Sequence, residues 1–247
     1  MIGLGTTARE WLNAGLSFFY PEICQICGQD RASPEECYLC TGCRGRVKHI
    51  EPPFCERCGL PYEGAITTAF ECANCKDMDM HFSSARSVAA AKGELLEVIH
   101  KYKYARAMWF EPFLGELLAE RAAPVLQSGK WDLIVPIPLH ATKQREREFN
   151  QAERLGSRLS DATGIPLATG LVRRVVATRT QTQLTRAERV TNMKKAFAMQ
   201  EGMKLSGERL VLIDDVFTTG ATASACAKAL RAAGAAEVCV WTVARGT

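Results

Sequence analysis

Four Cys-x-x-Cys pairs stand in one short stretch: Cys24/Cys27, Cys40/Cys43, Cys55/Cys58 and Cys72/Cys75. Twelve residues separate the first two pairs and thirteen the last two. Two knuckles at that separation supply four thiolates for one tetrahedral zinc ion. The repetition predicts two zinc sites in tandem, a double zinc ribbon over residues 21–80. This region is rich in Pro, Gly and Cys and poor in long apolar runs, so metal has to hold it where a core cannot. Gly28 and Gly59 follow the second cysteine of a pair, where such a knuckle turns tightly. Spacing leaves open whether the pairs close sequentially or interleave. It also leaves Cys37, three before Cys40, either as a competing ligand or as a spare. Nothing supplies an open coordination position, so the sites read as structural.

Nine of the eleven cysteines belong to this stretch. A secreted disulfide scaffold would need a signal peptide, and Arg9 and Glu10 before a short GLSFFY patch make a poor one. Metal spacing therefore predicts a cytoplasmic protein. No apolar run approaches about 18 residues, so no transmembrane helix is expected. Residues 1–20 carry Trp11, Leu12 and Leu16 at helical spacing, which fits an amphipathic segment packed on the rest of the protein. The net charge of +4 is too small to assign a partner.

The second informative stretch is Val211 to Thr222, VLIDDVFTTGAT. Val211, Leu212 and Ile213 read as a buried strand. Asp214 and Asp215 follow at once, then Thr218, Thr219, Gly220, Ala221 and Thr222, then the helical run ASACAKALRAAG. Backbone N–H groups at the loop and helix start suit a phosphate, and the threonine hydroxyls can donate to the same oxygens. The carboxylates suit ribose hydroxyls or a hard cation such as Mg2+. A plain βα turn after two acids is the bland alternative.

Residues 81–247 alternate candidate strands (84–90, 131–137, 167–172, 208–214, 237–243) with helices (93–104, 111–123, and one running on from Thr142). That pattern predicts an α/β domain with a mainly parallel sheet. The acid pair then falls at the carboxyl end of a strand, where open α/β sheets bind ligands. Pro124 is expected to end the second helix, and Pro136 and Pro138 to close the WDLIVPIPLH strand. Lys101, Lys103 and Arg106 read as a solvated basic face, with a phosphate contact as the lesser alternative. Cys226 and Cys239 read as small core residues. From Lys143 to Lys195, twelve Lys and Arg face five Asp and Glu, a surplus of seven in a chain of net +4. Thr178–Thr185, polar and aperiodic, is expected to be a mobile loop. Arg173, Arg174 and Arg179 suit pyrophosphate or nucleic-acid phosphates. Aromatic residues are little interleaved there, which weakens a base-stacking reading.

The VLIDDVFTTGAT stretch resembles the PRPP-binding motif of type I phosphoribosyltransferases. In that motif an acidic pair holds the ribose hydroxyls and a Thr/Gly loop holds the 5′-phosphate. VPIPLH, then REFNQAERL, then RTQTQLTRAERVTNMKKAF (179–197) resemble successive blocks of the ComF family, whose members also begin with a zinc ribbon. The family's usual Gly in its RGFNQ block is Glu148 here. The resemblance implies a type I phosphoribosyltransferase-like sheet flanked by helices at 81–247, two structural zinc ions and Mg2+ with PRPP. It implies Asp214 and Asp215 as the catalytic pair, and Pro138, Leu139 and Arg147 at the pyrophosphate. It also implies a role in DNA uptake during natural transformation, beside a competence helicase and recombination proteins. The protein is then a phosphoribosyltransferase or a catalytically silent PRPP sensor that binds single-stranded DNA; a purely structural zinc adaptor is a third reading, against which the intact PRPP-like motif argues.

Overall fold

The computed structural model describes residues 22–62, 64, 70–76, 79–175 and 196–246. The N-terminal segment 1–20, the Thr178–Thr185 stretch and Arg179 lie outside the described residues. In chain order the elements are α1 (Thr41–Gly45), α2 (Ala73–Lys76), β1 (Ser84–Ala90), α3 (Gly93–Tyr104), α4 (Glu111–Ser128), β2 (Leu133–Pro136), α5 (Ala141–Arg147), α6 (Gln151–Thr163), β3 (Val172–Arg174), β4 (Phe197–Met199), β5 (Arg209–Phe217), α7 (Ala221–Ala232) and β6 (Glu237–Arg245).

A four-stranded sheet runs in the order β1-β6-β5-β2, and every neighbouring pair is parallel. Inner strands of such a sheet are covered on both faces and read as near-continuous apolar runs. The RLVLI of β5 and the VCVWTVA of β6 are of this kind, and both are buried over nearly their whole length. Alternate residues of β5 feed two layers, as the period of a strand requires. Val211 and Ile213 pack with Leu95, Leu114 and Leu155 from α3, α4 and α6. Leu210 and Leu212 pack with Ala227 and Leu230 of α7. Cys226 and Cys239 are buried among these residues, as expected.

The ribbon region is built onto the β1 edge. Lys48–Ile50 lies antiparallel to β1, with Ile50 N donating to Val88 O and Ala90 N to Lys48 O. Ala85 N donates to Arg57 O at 2.7 Å, and a Cβ on Gly59 would stand 2.7 Å from Ala85 O, so only glycine admits this approach. An otherwise bare sheet edge is thereby covered.

Three local expectations are corrected. Pro124 lies inside α4, which continues to Ser128. Its ring is on the exposed side, where a carbonyl that loses its helical donor can meet water. Meanwhile Leu114, Leu118, Ala122 and Leu126 extend one buried stripe. The stretch after His140 is two helices, because Glu148 adopts φ 67°, a left-handed conformation that ends α5. Asn150 restarts the chain as the cap of α6, its Oδ1 accepting from Ala152 N. Residues 167–172 do not form a fifth sheet strand. Leu167 makes a single parallel bridge to Ile134, because Pro166 has no N–H to donate and Gly170 turns the chain at φ 77°. β3 instead pairs antiparallel with β4 in a separate ribbon.

Candidate functional site

Asp214 and Asp215 sit near the carboxyl end of β5, beside the centre of the sheet. Consecutive strand residues ordinarily point to opposite faces, but at the strand's end the two carboxyls stay close enough to act on one another, and Lys103 acts on Asp214 as well as pairing with Asp215. Asp215 is 6% exposed and meets Lys103 of α3, with Nζ 2.7 Å from Oδ2. Asp214 lines a small cleft with Thr218, Gly220, Thr222 and Thr242 on the α7 side. Burial, then the neighbouring Asp215, pushes the Asp214 carboxyl up to about 7, against the pull of Lys103. Lys101, Lys103 and Arg106 are thus not one solvated face. Lys103 turns inward to the acids, while Lys101 Nζ donates to Gln25 O of the first ribbon and Arg106 pairs with Glu148.

The threonine loop is open where an anion would approach. Thr218 and Thr219 are exposed; the N-cap Gly220 offers no side-chain bond, and the Thr219 hydroxyl accepts only from Ala221 N, at 3.4 Å. Gly220 is the N-cap at φ 79°, and a Cβ there would lie 2.5 Å from Phe217 Cζ, so glycine is required twice over. The first turn of this twelve-residue helix, with one long bond from Thr219, therefore faces the same cleft as Asp214.

Cations gather around the acids, with Lys103 and Arg174 both acting on Asp214. The Lys143 ammonium is held below its usual range by desolvation and then by Arg174, Arg147 and, more weakly, Lys103. Burial also lowers the Arg174 pKa, while Asp214 works the other way. The block REFNQ explains itself here. Asn150 Nδ2 donates to Ile137 O and so ties the loop carrying Pro138 and Leu139 to α6. Gln151, 2% exposed, accepts from Arg147 Nη1 at 3.1 Å. Arg147 also lies over the Tyr104 ring at 4.9 Å and donates to its hydroxyl. Sequence names Lys103 only as part of a basic cluster, and Asn150 and Gln151 only inside the REFNQ block. Asn150 and Gln151 had a signal in the repeated family block; Lys103 had only its charge.

A larger cavity of ≈360 Å3 opens at the amino end of the sheet, between His81–Ser83 and Glu237–Val238. It contains neither the acids nor the threonine loop, so size does not mark the site here; position at the strands' carboxyl ends does.

The two cysteine clusters close sequentially. Cys24, Cys27, Cys40 and Cys43 form one, and Cys55, Cys58, Cys72 and Cys75 the other, each with its sulfurs within 4.8 Å of one another. Cys37 is buried and belongs to neither. A zinc tetrahedron with bonds of about 2.3 Å has edges of about 3.8 Å. The observed Sγ–Sγ separations include 3.6 Å for Cys24–Cys43, 3.8 Å for Cys27–Cys40, 3.8 Å for Cys55–Cys75 and 3.6 Å for Cys58–Cys72. The thiol sets fit the ion. In each set one thiol is already acidic, Cys24 at about 6 and Cys55 at about 7: burial raises them, and backbone N–H groups of the knuckles outweigh it. Each cluster also has an arginine against a sulfur, Arg46 on Cys43 at 3.0 Å and Arg245 on Cys58 at 3.5 Å.

Residues 15–78 match the double zinc ribbon domain family. Competence protein F of Haemophilus influenzae is 32% identical over 211 residues, 84% of this chain and 90% of that protein. DNA utilization protein YhgH of Escherichia coli K12 is 30% identical over 230 residues, 91% of this chain and 97% of that protein. Competence protein ComFC of Bacillus subtilis is 27% identical over 211 residues, 84% of each. Among solved structures, glutamine PRPP amidotransferase from B. subtilis is similar at a TM-score of 0.39 and 22% identity, over 57% of this chain and 30% of that one. Adenine phosphoribosyltransferase from Leishmania tarentolae is similar at a TM-score of 0.35 and 20% identity, over 56% and 58%. Among the described residues no helix is long and apolar enough to cross a membrane. With four thiolate pairs closed into two ribbons on a parallel sheet, and with such identity across its length, the chain belongs to the family of competence protein F and YhgH.

Proposed function

We propose that the carboxyl end of the sheet binds PRPP with Mg2+, in a cytoplasmic protein that serves DNA uptake during natural transformation. The observation that carries this reading is the start of α7, its N-cap without a side-chain bond, facing the same cleft as Asp214. Thr218, Thr219, Gly220, Ala221 and Thr222 hold the 5′-phosphate through hydroxyls and backbone N–H groups. Asp214 and Asp215 take the ribose hydroxyls. The same carboxylates would hold Mg2+, a hard cation that prefers few carboxylates and keeps water and phosphate oxygens, and that would supply charge neutralisation at the pyrophosphate. Arg147, the loop of Pro138 and Leu139, Lys143 and Arg174 surround the pyrophosphate.

As a phosphoribosyltransferase the protein would break the bond from the anomeric carbon to pyrophosphate while a base attacks that carbon. Its own residues orient the sugar phosphate and stabilise charge on the departing group. No protein nucleophile is required. A second reading, a catalytically silent sensor that holds single-stranded DNA, is favoured by one surface. Tyr104 and Trp109 are 69% and 41% exposed, Arg147 stacks on Tyr104, and Tyr38 of the first ribbon meets Trp109 edge-on at 6.0 Å. At Tyr104 an exposed aromatic thus meets a cation, the pairing that sequence-tolerant stacking uses.

Calorimetry with PRPP and Mg2+ on wild type and on Asp214→Ala/Asp215→Ala tests the site. The double variant should bind at least about tenfold more weakly, the order of a lost charge-assisted hydrogen bond; equal binding removes the assignment. Pyrophosphate release with candidate bases then separates transferase from sensor. Single-stranded DNA affinity across salt concentrations tests the aromatic surface.

A further inference from the structure

Arg245, the last residue of β6, is 5% exposed and touches two places that the sequence gives no reason to connect. Nη2 lies 3.5 Å from Cys58 Sγ, a ligand of the second ribbon. Nη1 donates to Thr218 O, the first residue of the phosphate loop, and to Phe217 O and Gly246 O at 3.3 Å each. The guanidinium lies over the Phe217 ring at 4.7 Å, and Phe217 is the ring that forces glycine at Gly220. One planar cation thus grips the loop's backbone and its packing wall on one side and a zinc ligand on the other. A zinc ion with four thiolates would be a net dianion, and the guanidinium 3.5 Å from one of those sulfurs is placed to be drawn to it. Arg46 plays the matching part at the first cluster, but it reaches Glu94 at the start of α3, not the loop.

We propose that Arg245 is a positioning residue that links zinc in the second ribbon to the shape of the Thr218–Thr222 loop, so that zinc and the sugar phosphate bind cooperatively. The proposal rests on the sugar-phosphate reading above. Cooperativity between two ligands is reciprocal: zinc at Cys55, Cys58, Cys72 and Cys75 tightens PRPP, and PRPP tightens that zinc by the same factor. The first ribbon is outside the linkage.

The experiment measures PRPP·Mg2+ affinity by calorimetry and zinc affinity by competition with a chromophoric zinc chelator, with and without PRPP. It compares wild type, Arg245→Ala, Arg245→Lys and Arg46→Ala. In wild type, saturating PRPP should tighten one of two zinc ions by about tenfold, within the usual range of such couplings. Arg245→Ala should keep two zinc ions, bind PRPP roughly tenfold more weakly and lose the linkage. Arg46→Ala should keep both PRPP affinity and linkage, which also controls for zinc chelation by PRPP itself. Arg245→Lys keeps a charge beside Cys58 but lacks the fork that reaches the loop carbonyls, so it should hold zinc yet lose the linkage even where Arg245→Ala fails to fold. In cobalt-substituted protein the thiolate-to-metal absorption of one site should shift on PRPP addition in wild type and not in Arg245→Lys. Wild type that binds PRPP with no change in either zinc affinity overturns the linkage alone. Wild type that binds no PRPP overturns it together with the sugar-phosphate reading.

Discussion

Lys103 and Asp215 form the ion pair at the heart of the site: Nζ stands 2.7 Å from Oδ2, with side chains 14% and 8% exposed. The pair ties α3 to the end of β5. Removing one partner of a buried pair strands the other charge away from water. Lys103→Ala should therefore cost about 3 kcal/mol of folding stability. Urea denaturation at neutral pH measures this, and a loss below about 1 kcal/mol would mean the pair behaves as a solvated surface contact.

Asp214 gives the site a pH signature. Its carboxyl is raised from 3.8 to about 7 by burial and by Asp215. A raised acid binds its proton more tightly in the folded protein, so its contribution to stability is complete below the unfolded value and is lost as pH climbs to about 7. Asp214→Asn removes the ionisation. The variant should be more stable than wild type at pH 8 by roughly 1–2 kcal/mol, and the difference should shrink toward pH 4. The same variant should lose PRPP·Mg2+ affinity, since binding uses the ionised form. Thermal denaturation across pH checks the first part. A variant less stable than wild type at pH 8 would mean that Asp214 is held by attractive contacts rather than kept at a cost for binding.

Much of this architecture could be read from local pattern. The apolar run before Asp214 specifies an inner strand, and Gly220 between Thr219 and Ala221 specifies the tight entry to α7. The cysteine spacing specifies two zinc sites, because ligand pairs and their separation are local. What stayed hidden is long-range or conformational. Lys103 and Asp215 are far apart in sequence, and nothing in KYKYAR distinguishes the lysine that turns inward from its neighbours. Arg245 follows an apolar run that gives it no distinguishing mark in sequence, yet it is buried against Cys58. Pro124 looked like a helix end because its missing donor was weighed without the buried Leu126 beyond it. Residues 167–172 looked like a sheet strand because their apolar content could not show that Pro166 and Gly170 limit the pairing to one bridge.

Glu148 yields the prediction closest to the family comparison. It stands at φ 67° at the end of α5, where a residue with a Cβ is strained by about 1–2 kcal/mol. Glycine, the residue expected at this place in the RGFNQ block, carries no such strain. Glu148 has an ion pair with Arg106 at 2.8 Å, but the two side chains are 62% and 59% exposed, so the pair is worth a few tenths of a kcal/mol. Glu148→Ala keeps the strain and loses only the pair, and should stay within about 0.5 kcal/mol of wild type. Glu148→Gly should be more stable than Glu148→Ala by about 1 kcal/mol, net of glycine's larger unfolded-state entropy. Both substitutions remove a carboxylate one residue from Arg147 and should tighten PRPP binding to a similar degree, because that effect is electrostatic. Urea midpoints and calorimetry on the two variants separate strain from charge. If Glu148→Gly is the less stable of the two, the left-handed turn is held by the Glu148 side chain and not merely tolerated by it.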